Sequence, residues 1–210
     1  ARPGLCFAPR MDIDFDRLPP SDRYKVLASL ITPRPVAWVS TVDRAGRVNA
    51  APFSFFNCFG SNPPIVAFAP GNKEAGVPKD TARNIRETRE FVVNLVDEAV
   101  GEAMVATAAT LPHGESELEA AGLTGAPSTV VTPPRIAEAP VALECREWAT
   151  LEIGANRLVI GTVHHAHVRE GLLDAETLRL DPAAYAPLGR MASPDWYCRT
   201  TDQFELRRPE

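Results

Sequence analysis

The strongest constraint on the fold comes from two long segments, 141–154 and 157–170, that are almost adjacent in the chain. Each alternates apolar and polar side chains, which is typical of a strand with one buried face. Only Ala155 and Asn156 separate them, and such a short connection joins antiparallel neighbours. A second hairpin is predicted at 35–54, with DRAG as its turn. We therefore expect an antiparallel sheet.

Shorter segments complete this pattern. Helices do not follow the strands regularly, as a parallel doubly wound fold would require, so the chain is predicted to be mainly β with short helices, in an antiparallel barrel. No linker divides it, which predicts a single domain at 21–210 after an N-terminal extension, 1–20, with no assigned role. Further strands are expected at 65–70, 91–96 and 203–206, a helix over TARNIRETRE capped by Asp80, and helices at 97–111 and 112–123.

Composition argues against several classes of protein. The net charge is −5 and the pI is about 5.5, whereas a nucleic-acid-binding face usually makes a chain basic. The four cysteines are far apart, so no zinc knuckle or dithiol motif is predicted. No apolar run is long enough to span a membrane, and the first residues lack the apolar core of a signal peptide. We expect a cytoplasmic protein that binds neither nucleic acid nor membranes.

Histidines and glutamates do not predict a metal or hydrolytic site. Alternation places His165 and His167 on one strand face and His164 on the other, and two imidazoles without a third ligand make a poor metal site. His113, alone in a Pro-Gly loop, is expected to be structural or to contact the edge of a ligand. Neither GxSxG nor GxGxxG occurs, so hydrolase and Rossmann sites are not predicted. The glutamates expected on a solvated helix face are Glu115, Glu117 and Glu119.

The stretch PKDTARN (78–84) is a candidate anion site. Lys79 precedes the predicted helix and Thr81 lies in its first turn. The free N–H groups and the dipole of a helix N-terminus favour a bound anion, and a phosphate monoester suits a lysine and a hydroxyl at that point. The alternative is that Asp80 caps the helix and Lys79 is only a surface charge.

The stretch NAAPFSFFN (49–57) mixes aromatic rings with amide and hydroxyl groups. Buried polar groups need partners, so this composition suits a loop that presents rings and hydrogen-bonding groups to a ligand. Trp38 and Ser40 share one face of the preceding strand. Together with the helix-start site, these residues would accommodate a flat polar heterocycle with a phosphorylated tail. The alternative is that Trp38 and the phenylalanines pack the barrel.

In this order, these stretches resemble the flavin reductase-like, FMN-binding split-barrel family, which is flavoredoxin-like. The resemblance covers about residues 25–208. Its segments are 32–57, 62–68, 79–96, 115–123, 139–148, 158–165 and 187–197.

The resemblance implies a homodimeric antiparallel split barrel that binds FMN near the dimer interface. It assigns no catalytic side chain, because the flavin itself accepts hydride. The cofactor-binding residues that it implies are Thr32, Arg34, Trp38, Ser40 and Thr41 from the first strand, Ser54, Phe56 and Asn57 from the aromatic stretch, and Lys79, Thr81 and Asn84 around the phosphate.

Three functions follow from the resemblance and stay open at this point. The first is an NAD(P)H-dependent flavin reductase, with FMN or FAD as flavin, NADH or NADPH as reductant, and a flavin-dependent monooxygenase or another electron acceptor as partner. The second is a non-catalytic FMN carrier. The third is an interaction protein that has lost its flavin, since a fold does not determine a function.

Overall fold

The computed structural model describes residues 10–74, 76–109 and 116–207. Its helices are α1 (Pro20–Leu30), α2 (Asp80–Thr88), α3 (Gly101–Ala106) and α4 (Glu117–Ala120), with 3-10 turns at Phe15–Arg17 and Glu98–Val100. Its strands are β1 (Ala37–Val42), β2 (Val48–Phe53), β3 (Phe56–Ser61), β4 (Pro64–Phe68), β5 (Asn72–Glu74), β6 (Val77–Pro78), β7 (Glu90–Leu95), β8 (Gly125–Ala126), β9 (Arg135–Ile136), β10 (Val141–Ile153), β11 (Asn156–Val168), β12 (Leu188–Arg190) and β13 (Tyr197–Arg199).

One antiparallel sheet of seven strands dominates the fold, in the order β2-β1-β7-β10-β11-β4-β3. The expected mainly β, antiparallel architecture is confirmed. Pro52 lies in β2, at the edge of the sheet, where a residue without a backbone N–H is tolerated. All six residues of β1 are buried, because both faces of the sheet are covered at this strand.

The two faces carry separate apolar clusters. One contains Ala37 and Val39 of β1 together with Phe68 and Phe91, and Ile85 of α2 packs into it. The opposite face carries Val36, Trp38, Met104, Leu118 and Ile136. Because side chains alternate along a strand, β1 contributes to both clusters.

The hairpin of β10 and β11 is predicted correctly in its strands but not in its turn. The turn is Gly154–Ala155 rather than Ala155–Asn156, and Gly154 takes φ +60, a conformation that glycine adopts at little cost. Each strand also carries one extra residue that has no cross-strand partner and shifts the register of the pairing: His164 in β11 and Trp148 in β10. Such β-bulges bend and twist a strand.

Several predicted elements differ from the structure. Phe56–Ser61 forms a strand, β3, where a loop was expected, and α1 was not predicted. Residues 203–206 form no strand, and β13 is instead the last one among the described residues. Of the helices expected at 97–111 and 112–123, the described residues contain α3 and α4, and residues 110–115 lie outside the described part of the chain. His113 and Glu115 lie outside the described residues.

Candidate functional site

An open pocket lies at the N-terminus of α2, where β2, the β5–β6 hairpin and α4 meet. Its volume of about 70 Å³ is well below the roughly 300–1,000 Å³ of pockets that enclose a whole ligand. The pocket therefore has room for one end of a larger molecule. Its lining residues are Asn49, Ala51, Lys73, Lys79, Asp80, Thr81, Thr107, Ala108, Ala109 and Glu117.

The start of α2 leaves backbone donors available to this pocket. Lys79, rather than Asp80, occupies the N-cap position, and no side chain caps the helix. The Asp80 carboxylate instead pairs with Lys73 and Arg83. The first N–H groups of a helix have no partner within it, and the dipole favours a negative charge there. The predicted anion site therefore keeps its donors, whereas the predicted Asp80 cap is wrong.

Four polar side chains form two hydrogen-bonded pairs, one in the pocket lining and one behind it. Asn49 Nδ2 donates to Thr81 Oγ1 at 3.0 Å, and Asn84 Nδ2 donates to Thr41 Oγ1 at 3.1 Å. The buried Asn84 Oδ1 has no partner among the described residues. Because the Thr81 oxygen accepts from Asn49, its own hydroxyl proton stays available to a ligand.

The charges around the pocket are mixed. Lys79 places its ammonium 5.5 Å from the centre of the Phe53 ring, and no carboxylate pairs with it among the described residues. Glu117, expected on a solvated helix face, is in fact half-buried and accepts a hydrogen bond from the Ala50 N–H at 3.2 Å. Burial raises the pKa of Glu117 above its usual value. Glu119 is exposed, as expected.

All three predicted residues of β1, Trp38, Ser40 and Thr41, are completely buried rather than open to the pocket. Trp38 donates from Nε1 to Thr107 Oγ1 at 2.8 Å. Ser40 donates from Oγ to the Pro134 carbonyl at 2.6 Å, under the chain segment that covers this face of the sheet. Trp38 thus bonds to a residue of the pocket lining, Thr107, and the roles of Trp38 and Ser40 as flavin contacts stay predictions.

Arg34 lies in a buried position next to the C-terminus of α1. Its guanidinium donates to the carbonyls of Ala28 at 2.6 Å, Ile31 at 2.5 Å and Met191 at 2.9 Å. It therefore ties α1 to the chain beside β12 and satisfies helix carbonyls that lack partners. Ser54 Oγ lies 3.5 Å from Arg34 Nε.

The remaining predicted residues also lie outside the pocket lining. Thr32 is half-buried just before Arg34. Phe56 packs against the first apolar cluster, and Asn57 is exposed, with Oδ1 accepting from the Cys58 N–H at 2.8 Å. Of the predicted set, the fold brings Lys79 and Thr81 to the pocket and Thr41 and Asn84 directly behind it.

Sequence reasoning missed four polar residues that line the pocket. Asn49 stood in the aromatic stretch, but neither its pairing with Thr81 nor a ligand role was assigned to it. Lys73, Thr107 and Glu117 come from three other segments, and only tertiary contacts bring them together. No local motif could have identified them.

The described residues contain no helix that is both long and apolar enough to cross a membrane.

Comparison with known proteins decides the family. The model of the flavin reductase like domain matches residues 29–189, which is most of the chain. The chain belongs to the flavin reductase-like family. A relative from Deinococcus radiodurans, named only as an uncharacterized protein, is 45% identical over 200 residues, covering 93% of this chain and 88% of the relative.

Solved structures place this flavin reductase-like chain among split barrels. Nitrilotriacetate monooxygenase component B from Bacillus cereus superposes with a TM-score of 0.90 at 37% identity, covering 95% of this chain and 100% of that one. The 2-nitrobenzoate 2-nitroreductase NbaA from Pseudomonas fluorescens gives 0.86 at 36% identity, with 95% and 96% covered. A Shewanella frigidimarina protein with a split barrel domain shares the fold, with a TM-score of 0.76 at 22% identity and 93% and 95% covered. The predicted split-barrel fold is confirmed.

Proposed function

We propose that this flavin reductase-like protein binds FMN with its phosphate at the N-terminus of α2, and that it oxidises NADH or NADPH to reduce the flavin. The observation that carries the proposal is the set of unused donors at one point: the uncapped helix start, the Thr81 hydroxyl proton and the Lys79 ammonium. Phosphate oxygens accept such hydrogen bonds, and a charged acceptor makes them stronger.

The residues present fit the phosphorylated end of the cofactor. Asn49 fixes the orientation of Thr81 through the 3.0 Å hydrogen bond, so that the Thr81 hydroxyl can donate to a phosphate oxygen. The Asp80 carboxylate, which would repel a phosphate, is paired with Lys73 and Arg83. Glu117 is the other carboxylate in the lining, and it forms no ion pair among the described residues.

The flavin ring must lie outside this pocket, because about 70 Å³ does not enclose a three-ring system. We place it against a second copy of the chain, in a homodimer. Exposed apolar side chains on β3 and β10 support this arrangement: Phe59 of β3 is 67% exposed, and Trp148 and Ile153 of β10 are 69% and 65% exposed. Exposed apolar patches of this kind mark association surfaces.

The chemistry demands little of the protein. When bound, flavin accepts hydride by itself, so the chain has to hold the phosphate, orient the cofactor and exclude water. We therefore assign no catalytic side chain.

The electron acceptor is proposed by analogy. One similar structure is named as a component of nitrilotriacetate monooxygenase and another as a nitroreductase. These names support reduced flavin as the product, passed to a flavin-dependent monooxygenase or to another acceptor. On this scheme FAD serves as a further substrate.

The test begins with flavin titration of the purified protein, followed by anaerobic addition of NADH and then NADPH. Bound FMN should lose its visible absorbance with at least one reductant, and excess free FMN or FAD should be turned over. FMN binding without reduction by either nucleotide would favour the electron carrier, and absence of FMN binding at micromolar concentrations would reject the proposal. Size-exclusion chromatography with light scattering tests the homodimer.

A further inference from the structure

Three potential metal ligands meet on the sheet face opposite the first apolar cluster. Glu144 of β10 and His165 of β11 are direct cross-strand partners, and His167 lies two residues further along β11. One ligand atom from each lies within 4.8 Å of the other two. The two histidines share a face, as the sequence predicted, and the fold adds the third ligand that the sequence did not reveal.

Glu144 is a buried and rigidly held carboxylate. It has no exposed surface. Its Oε1 accepts from the Thr129 N–H at 2.7 Å, and its Oε2 accepts from the N–H groups of Val130 at 2.6 Å and Val131 at 3.1 Å. Burial alone would raise the pKa of Glu144, but these hydrogen bonds and the one with His167 outweigh it and lower the pKa to about 2. The group is therefore ionised at neutral pH.

Few hydrogen bonds hold the two histidine rings of this cluster in place. His167 Nε2 lies 2.6 Å from Glu144 Oε1, and the His167 side chain is 26% exposed. The His165 ring stands 4.8 Å from the His167 ring, and within the described part of the chain it makes no side-chain hydrogen bond. One ring is thus held by a single bond and the other by none, so both can turn toward a common ion.

We propose that Glu144, His165 and His167 bind one divalent transition-metal ion of the Zn²⁺ class. The ion replaces the proton between Glu144 Oε1 and His167 Nε2, and His165 supplies the third ligand. Tetrahedral zinc with Zn–N and Zn–O distances near 2.0 Å separates its ligand atoms by roughly 3.3 Å. The 2.6 Å gap therefore needs to open by less than about 1 Å.

The ligand types and the burial select this class of ion. Two imidazoles with one carboxylate suit zinc, nickel or copper, whereas magnesium and calcium prefer oxygen ligands throughout. The backbone donors to Glu144 hold the carboxylate in place, as supporting hydrogen bonds do at metal sites. Partial exposure of His167 leaves a coordination position for water.

The test is equilibrium dialysis of the full chain, treated with a chelator, against Zn²⁺ alone, with metal counted by mass spectrometry. We expect one Zn²⁺ per chain. His165→Ala should weaken binding by roughly 10- to 100-fold or more, and because this ring has no hydrogen bond to lose, the variant should fold normally. His164→Ala is the matched control, since His164 neighbours the cluster in the chain, is exposed and bonds Thr162 at 2.9 Å.

The outcomes separate clearly. A loss of Zn²⁺ binding in His165→Ala with none in His164→Ala supports the site, and a Co²⁺ absorption spectrum of a four-coordinate ion supports it further. Absence of stoichiometric Zn²⁺ binding, equal binding by His165→Ala and the original chain, or equal loss in both variants would overturn the proposal. FMN titration of the same samples is an independent reading, so failure of the metal site and failure of the flavin site are distinguishable.

Discussion

Two polar clusters in this protein invite comparison: the pocket at the start of α2 and the Glu144 carboxylate beneath residues 129–131. The pocket is open, and the hydroxyl proton of Thr81 in its lining has no described acceptor. Glu144 is buried, and its two oxygens receive four hydrogen bonds. A hydrogen-bond donor without an acceptor beside a cavity is available to a ligand. A carboxylate that already accepts hydrogen bonds from several parts of its own chain instead stabilises the fold. A ligand enters the second cluster only by replacing a bond already present.

The largest effect is expected for Glu144→Ala. Removal of the carboxylate leaves three backbone N–H groups without their acceptor, and we expect the free energy of unfolding to fall by about 3–5 kcal/mol. Urea denaturation measures this. The matched control is Glu138→Ala, because Glu138 is exposed and also accepts from a backbone N–H, that of Thr124. Glu138→Ala should lower the free energy of unfolding by about 1 kcal/mol or less. An equal loss in the two variants would show that the hydrogen bonds of Glu144 stabilise the fold no more than those of an exposed carboxylate.

A pH series sharpens the same contrast. The pKa of Glu144 is lowered to about 2 in the folded chain, against about 4.3 when unfolded. The contribution of Glu144 to the free energy of unfolding, about 3 kcal/mol in all, is therefore fully present above pH 4.3 and is lost as the pH falls toward 2. Unfolding in the presence of EDTA should show this slope, and Glu144→Gln should lack it. If the free energy of unfolding fell equally with pH in the original chain and in Glu144→Gln, groups other than Glu144 would be responsible for the loss of stability in acid.

For the pocket, the main prediction concerns Lys79→Ala. Loss of a charge-assisted hydrogen bond to phosphate should weaken FMN binding by about 1–3 kcal/mol and leave the free energy of unfolding nearly unchanged. Fluorescence titration of FMN measures the affinity. Lys25→Ala is the control, since Lys25 lies on α1, pairs with Asp22 and is absent from the pocket lining. Unchanged affinity in Lys79→Ala would move the phosphate elsewhere.

The smallest predicted effect comes from Glu117→Gln. Its carboxylate opposes a phosphate in the pocket, while glutamine keeps an oxygen for the Ala50 N–H. We expect FMN to bind about 2- to 5-fold more tightly at pH 8, as for the loss of a weak surface interaction of about 0.5–1 kcal/mol.

The sign of its pH dependence provides the check. Burial raises the pKa of Glu117, so the Glu117 carboxyl of the original chain becomes neutral as the pH falls. The difference in FMN affinity between the original chain and Glu117→Gln should therefore disappear in acid. Glu119→Gln, on the exposed side of α4, should bind FMN like the original chain. A difference in FMN affinity that grows as the pH falls would contradict a phosphate near Glu117.

The sequence predicted those parts of the fold whose signals are local. Alternation predicted the β1–β2 and β10–β11 hairpins, and the segment PKDTARN predicted a helix start that offers donors. β3 was missed because its residues are almost all exposed, so no alternation of burial marks it, and its pairing with β4 forms it.

The site was only partly predictable, because several of its residues are defined by distant contacts. Trp38 and Ser40 do share a strand face, but the sequence did not show that Thr107 and Pro134 cover them. Lys73 and Glu117 reach the pocket from remote segments. Likewise, Glu144 meets the histidines only through cross-strand pairing.

The extra residues in the long hairpin have a consequence for how this protein tolerates change in length. Deleting a residue from a regular strand slips the register and turns every following side chain to the opposite face. His164 and Trp148 have no cross-strand partner in the register, so loss of either one leaves the pairs on both sides intact. Natural shortening of this hairpin is therefore expected at these two positions, and a chain trimmed there should keep both of its polar clusters.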